Sequence, residues 1–205
     1  MLSFLDRVQK LRWIERCSNT QHIKPYSVAQ HSFYISLYGL IFACLENERK
    51  EDVFYDLGLV VQKGIVHDLE ECETGDILFP IHNDYPEFKE KLDFIRRKCI
   101  DNEVFKELPF VSRTRLQYLW QSAKDNSPEG KMIACMDKFE ILMYAIGELD
   151  IGNMSMIPIY TTAIKIIKEQ FPQIKSVMDV IDEIEIIYGK VVGENEIEIT
   201  KVKES

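Results

Sequence analysis

With 46% hydrophobic and 29% charged residues in 205, the chain has enough apolar material for one buried core and the balance of a soluble globular protein. Its net charge of −9 excludes the broad basic surface that nonspecific nucleic-acid or anionic-membrane binding needs, while a small anion remains compatible beside local cations or a metal. Cys17, Cys44, Cys72, Cys99 and Cys135 form no CxxC pair or disulfide-like spacing, which predicts reduced thiols in a cytoplasmic protein.

In chain order, Leu5, Val8, Leu11 and Ile14 share one face and predict a first helix over Leu2 to Arg16. The opening residues have no basic or strongly apolar leader pattern, so no signal peptide is expected. Ser18 to Pro25 reads as a loop, and Ser27 as the N-cap of a helix carrying Val28, His31, Ile35 and Tyr38 to about Glu46-Asn47. The longest apolar run, Phe33 to Leu45, is 13 residues, too short to span a bilayer. A charged link, Glu46 to Asp52, leads to an apolar helix over Leu57 to Val66.

That helix ends abruptly in His67-Asp68, followed by an acidic run. Glu71 lies four residues after His67 and three after Asp68, so one helical face carries all three. Thr74-Gly75-Asp76 reads as a helix end that returns a further carboxylate toward that face. Residues 77–86, with Pro80 and Pro86, form an irregular segment expected as a rim or lid, and Pro86 to Glu107 an amphipathic helix. Pro109 breaks the pattern before a short helix over Arg113 to Ala123.

Ser127-Pro128 starts another helix, whose stripe of Met132, Ile133, Met136, Phe139, Leu142 and Met143 is interrupted by Asp137. After a loop at 147–158 come helices over Ile159 to Gln170 and Gln173 to Tyr188. The tail alternates apolar and charged residues and is expected as a short hairpin turning at Gly193-Glu194-Asn195, or as frayed chain. The pattern is all-α: one bundle of seven or eight helices over 1–190, with a tail over 191–205.

His31, His67-Asp68 and Asp137 are polar positions in mainly apolar helices. Singly, each has an ordinary explanation as a hydrogen-bonded histidine or a carboxylate paired with a neighbouring lysine. Together, two imidazoles and two carboxylates on three helices suit one mixed nitrogen/oxygen site for a divalent ion. There is no HExxH, Walker A, GxSxG or GxGxxG motif to compete.

Ser27-Val28-Ala29-Gln30-His31-Ser32, His67-Asp68, Glu71, Thr74-Gly75-Asp76 and Asp137 resemble the HD-domain phosphohydrolases. More narrowly they resemble the YfbR-like 5′-deoxynucleotidases, over about residues 1–150. The resemblance implies removal of the 5′-phosphate from deoxynucleoside 5′-monophosphates with one divalent metal ion (Mn, Co, Mg or similar). It implies His31, His67, Asp68 and Asp137 as metal ligands, Glu71 as the catalytic carboxylate and Asp76 as a second acidic residue.

Arg16 falls where the family binds phosphate. The next family position, a Trp packed on the sugar, is Cys17 here; Trp13, one turn earlier, is the candidate to refill that space. His82 stands near a place where the family often has Lys. The implied partner is a small nucleotide, with no nucleic acid or membrane, and a homodimer in keeping with the family.

Two alternatives stay open. A deoxynucleoside triphosphate triphosphohydrolase would be favoured by further cations near the entrance, such as Lys63, Arg96, Arg97 or Arg113. A noncatalytic nucleotide-binding HD module would lack a ligand or the acid/base residue, and all are present. Residues 150–205 are expected to serve as scaffold or interface.

Overall fold

The computed structural model describes residues 1–49, 53–77 and 85–203. Helix α1 (Leu2–Gln9) passes into a 3-10 turn, Lys10–Arg12. The helix therefore ends well short of Arg16. A non-local pairing replaces its last turn: Arg16 N–H donates to the Tyr26 carbonyl (2.8 Å) and Val28 N–H to that of Ile14 (3.0 Å). This pairing closes residues 17–25 as a loop, and Cys17 makes the turn with φ of 54°.

Helix α2 (Val28–Arg49) starts on a reciprocal cap. The Gln30 N–H donates to Ser27 Oγ (3.3 Å) and the Ser27 N–H to Gln30 Oε1 (2.9 Å). Helix α3 (Leu57–Val66) is capped by Asp56, which accepts from the Leu59 N–H at 2.9 Å. A single turn, α4 (Glu71–Thr74), follows, then α5 (Pro86–Cys99), which continues through a π turn at Ile100–Val104. Residues 78–84, with most of the expected lid and His82, lie outside the described residues.

Helix α6 (Phe110–Gln121) begins directly after Pro109, and α7 (Pro128–Leu149) starts on Ser127, whose Oγ accepts from the Gly130 N–H. A 3-10 turn at Met154–Met156 leads to α8 (Ile157–Gln170), and α9 runs from Lys175 to Lys203. Eight of these helices have two turns or more, so the all-α reading holds among the described residues. The expected terminal hairpin does not form. Helix α9 passes through Gly189 and Gly193, and neither glycine takes the positive φ that a tight hairpin turn requires.

Two apolar clusters hold the fold. The larger joins α2, α7, α8 and α9 through Ile35, Phe42, Met136, Phe139, Ile167 and Ile181. The smaller packs Leu11, Val28, Val66, Leu69, Phe105 and Leu119. Each such buried side chain contributes roughly 1.5–3 kcal/mol of transfer free energy. His31 lies on α2 midway between Val28 of one cluster and Ile35 of the other, so the polar positions sit at the seam.

Helices α2 and α3 approach closely at Gly64, where a Cβ would lie 2.6 Å from Ser36 Oγ and 3.0 Å from Ser36 Cα. The absence of a side chain lets these backbones meet and brings the rings of His31 and His67 within 5.3 Å. On its outer face α2 leaves Phe33, Leu37, Ile41 and Leu45 exposed.

Candidate active site

Three helices deliver the polar set to one point. His31 is one turn into α2, His67 and Asp68 follow the last turn of α3, and Asp137 is midway along α7. Ligand atoms of His31, His67 and Asp137 all lie within 4.8 Å of one another. Asp68 joins them, its Oδ2 being 2.8 Å from His67 Nε2 and 3.7 Å from His31 Nε2.

Both rings are held from behind. His67 Nδ1 donates to the Gly64 carbonyl at 2.7 Å, which leaves Nε2 as the lone-pair nitrogen. His31 Nδ1 lies 2.6 Å from Glu140 Oε2 and its Nε2 lies 3.1 Å from Asp137 Oδ1. The shorter contact assigns its proton to Nδ1, so both Nε2 atoms turn lone pairs toward carboxylate oxygens. Tyr26 O–H also donates to Glu140 Oε2.

Burial pushes the His67 pKa down despite the opposing charge of Asp68, keeping the ring neutral. Asp68 and Asp137 are held well below the usual carboxylate value. Burial opposes this, but His67 and Lys124 outweigh it for Asp68, and Lys124, Lys138 and His31 do so for Asp137. Two imidazole nitrogens facing two ionised carboxylates fit a divalent cation. The buried Nε2 of His67 also has no hydrogen-bond partner among the described residues.

Of these groups Asp68 and Asp137 line a cavity of roughly 400 Å³, together with Arg16, Cys17, Glu71 and Asp76. A guanidinium nitrogen of Arg16 lies 3.5 Å from Asp68, 3.9 Å from Glu71 and 3.8 Å from Asp76. Among the described residues its Nε has no hydrogen-bond partner, and neither has Glu71 Oε2. The Arg16 guanidinium sits over the Tyr26 ring, 5.8 Å from its centroid.

Burial, reinforced by Asp68, raises the Glu71 pKa well above the usual carboxylate value against the pull of Arg16. Burial likewise pushes the Cys17 thiol up to about 11, so it is no nucleophile at neutral pH. Trp13 is not brought to the cavity: it is 73% exposed at the end of the 3-10 turn and absent from the lining.

The cavity also has walls and cations outside the expected site set. Helix α8, expected only as scaffold or interface, contributes Pro158, Ile159, Ala163 and Ile166, and α7 adds Ile141. Of the cations considered for a longer polyphosphate, Arg96 lines the cavity. Lys63 instead pairs with Asp125, and Arg113 donates to the Leu108 carbonyl.

Arg96 Nε lies 3.4 Å from Glu70 Oε1, while Trp120 Nε1 donates to Glu70 Oε2 at 2.6 Å. Burial and Asp68 push Glu70 up to about 7. Lys124, unremarkable in the sequence, reaches Asp137. Glu140 had one readable signal, since it falls three residues after Asp137 on the same helical face.

A helical bundle that gathers two imidazoles and two Asp carboxylates at one point has the architecture of the HD-domain phosphohydrolases. A solved structure described as an HD-domain phosphohydrolase from Listeria innocua is 25% identical, with a TM-score of 0.73 over 86% of this chain and 84% of that one. The cyanophage S-2L HD phosphohydrolase DatZ, bound to dA and one catalytic Zn²⁺ ion, shares the fold at 15% identity. Its TM-score is 0.58, over 92% of this chain and 96% of that one.

The chain belongs to the YfbR-like 5′-deoxynucleotidase family, whose sequence model matches residues 3–185. It is 27% identical over 150 residues to 5′-deoxynucleotidase HDDC2 of Bos taurus, covering 73% of this chain and 65% of that protein. The Homo sapiens HDDC2 is 27% identical over 142 residues, covering 69% and 61% respectively. The chain thus spans a little under two thirds of the length of these curated relatives.

Proposed function

We propose that the protein is a metal-dependent phosphohydrolase that removes the 5′-phosphate from deoxynucleoside 5′-monophosphates. One observation carries this reading. The buried Nε2 of His67, without a hydrogen-bond partner among the described residues, and the Nε2 of His31 face ionised Asp68 and Asp137, beside an arginine whose buried Nε likewise has no hydrogen-bond partner among those residues. Membership of the family and the 5′-deoxynucleotidase description of its HDDC2 relatives support the substrate class.

His31, His67, Asp68 and Asp137 would hold one divalent ion, which would acidify a water and polarise a phosphoryl oxygen. Arg16 binds the phosphate, its Nε and terminal nitrogens matching the charge of the phosphoryl oxygens. Glu71 keeps a proton at neutral pH more readily than an ordinary carboxylate, which suits it to exchange one with the attacking water and the leaving 5′-oxygen. Asp76, 3.8 Å from the same Arg16 nitrogen that faces Asp68 and Glu71, steadies the guanidinium. The apolar wall from α8 receives the nucleoside and excludes water from it.

Arg96 and Lys124 in the same cavity keep a triphosphohydrolase as the second reading. Both are tested by a product screen across ribo- and deoxynucleoside mono- and triphosphates with Mn²⁺, Co²⁺, Mg²⁺ or chelator. Metal-dependent inorganic phosphate from the deoxynucleoside monophosphates is the expected result. Tripolyphosphate from the triphosphates would move the assignment to the second reading, and silence from a metal-loaded protein would overturn both.

A further inference from the structure

Asp137 and Asp68 each turn one oxygen toward the imidazoles and the other toward Lys124. Asp137 Oδ1 is 3.1 Å from His31 Nε2, whereas its Oδ2 accepts from Lys124 Nζ at 2.8 Å. On Asp68, Oδ2 faces His67 and Arg16, while Oδ1 is 3.9 Å from Lys124 Nζ. Lys124 therefore stands outside the set of atoms that face the imidazoles, and Arg16 and Lys124 flank one carboxylate at its two oxygens.

The turn that presents Lys124 is firmly built. The next residue, Asp125, accepts from Lys63 Nζ at 2.9 Å, and that ammonium also donates to Ser127 Oγ at 2.8 Å. The turn lies so close to α7 that a Cβ on Gly130 would be 2.5 Å from the Asp125 carbonyl oxygen. Lys63 is a structural lysine, 1% exposed and doubly bonded. Lys124 is different. Its side chain is 36% exposed and lines the cavity, and of its three donors one is engaged among the described residues, by Asp137.

The cavity lining holds Arg16, Arg96, Lys124 and Lys138 against Asp68, Glu71, Asp76 and Asp137, a formal balance of four cations and four carboxylates. A divalent ion in the His/Asp site would bring that balance to a formal +2, the complement of a phosphate dianion, with Lys124 part of the matching charge.

We infer that Lys124 is a second phosphate-binding residue, engaging the substrate phosphoryl group from the opposite side of Asp68 to Arg16. The inference rests on the phosphohydrolase reading above. It makes the site selective for a dianionic terminal phosphate, because a rigidly presented ammonium adds most where the ligand carries the second charge.

The test uses Lys124→Met and Lys124→Arg in the Mn²⁺-loaded protein, with inorganic phosphate and a deoxynucleoside monophosphate as probes. Lys124→Met should weaken inorganic phosphate binding, measured by calorimetry, and raise KM, each by roughly tenfold. Lys124→Arg should recover most of both, with Mn²⁺ affinity no weaker than wild type in either variant. Phosphate binding and KM within twofold of wild type would overturn the inference. So would losses that merely track weaker Mn²⁺ binding. Lys124→Gln serves if the Met variant folds poorly. A wild-type protein that hydrolyses no deoxynucleotide would refute the phosphohydrolase reading instead, and phosphate calorimetry would still decide the role of Lys124.

Discussion

Glu140 Oε2 lies 2.6 Å from Nδ1 of His31, on the opposite side of the ring from Asp137. This contact fixes the tautomer that points a lone pair into the site, and Tyr26 donates to the same oxygen. Glu140→Ala should weaken divalent-metal affinity by roughly 10–100-fold, and Glu140→Gln by less, because an amide oxygen still accepts the Nδ1 proton. Metal titration by calorimetry measures both. Wild-type affinity in the Ala variant would leave Glu140 only a packing role.

Glu71 is buried in the cavity, with Oε2 lacking a hydrogen-bond partner among the described residues and Arg16 3.9 Å away. Glu71→Gln preserves shape and removes the exchangeable proton. It should retain bound metal while kcat falls by about 10²–10⁴-fold. Single-turnover assays on protein of verified metal content provide the measurement, and turnover near the wild-type rate would remove Glu71 from the chemistry.

Gly64 carries the close approach of α2 and α3 against Ser36. Gly64→Ala would set a methyl carbon 2.6 Å from Ser36 Oγ and 3.0 Å from Ser36 Cα, and the latter, being backbone, cannot swing aside. The variant should lose about 1–3 kcal/mol in denaturant unfolding. Its metal affinity should fall with it, since widening this contact parts His31 from His67. An unchanged unfolding midpoint would mean the two helices separate there without cost.

The four proposed metal ligands were legible because His31 and Asp137 interrupt apolar helical stripes and His67-Asp68 ends one, and burial of such groups demands a partner. Ser27 and Ser127 were legible as caps for a local reason, since a short polar side chain before an apolar run satisfies the first turn's free N–H groups. Non-local choices were not legible. Ile14 and Arg16 keep helical spacing on paper but pair instead with Val28 and Tyr26, fourteen and ten residues on. Ile159, Ala163 and Ile166 form a cavity wall with the same residue types that elsewhere fill the core. Lys124 follows a helix as any surface lysine does, and only the packing of Asp125 against Gly130 and Lys63 turns it inward.

Glu148 ties the loop after Cys17 to the end of α7. It is fully buried and accepts from the Ile23 N–H at 2.7 Å, the Lys24 N–H at 2.8 Å and the Asn153 amide at 2.7 Å. Burial alone would raise its pKa, but the Asn153 amide, the two N–H groups and nearby His22 more than offset this and hold it below the usual value. The unfolded chain therefore takes up this proton more readily than the folded one. The stability Glu148 contributes is complete above its unfolded pKa of about 4.3 and is lost as pH falls through the folded value.

Glu148→Gln should be about 1–2 kcal/mol less stable at pH 7 and should show a shallower loss of stability between about pH 5 and 3. Because Asn19 and Thr20 of this loop line the cavity, KM should also rise. Urea unfolding at several pH values, run on both proteins, isolates the Glu148 contribution as the difference between them. Parallel curves would assign the acid sensitivity to other carboxylates and leave Glu148 as a pH-independent tether.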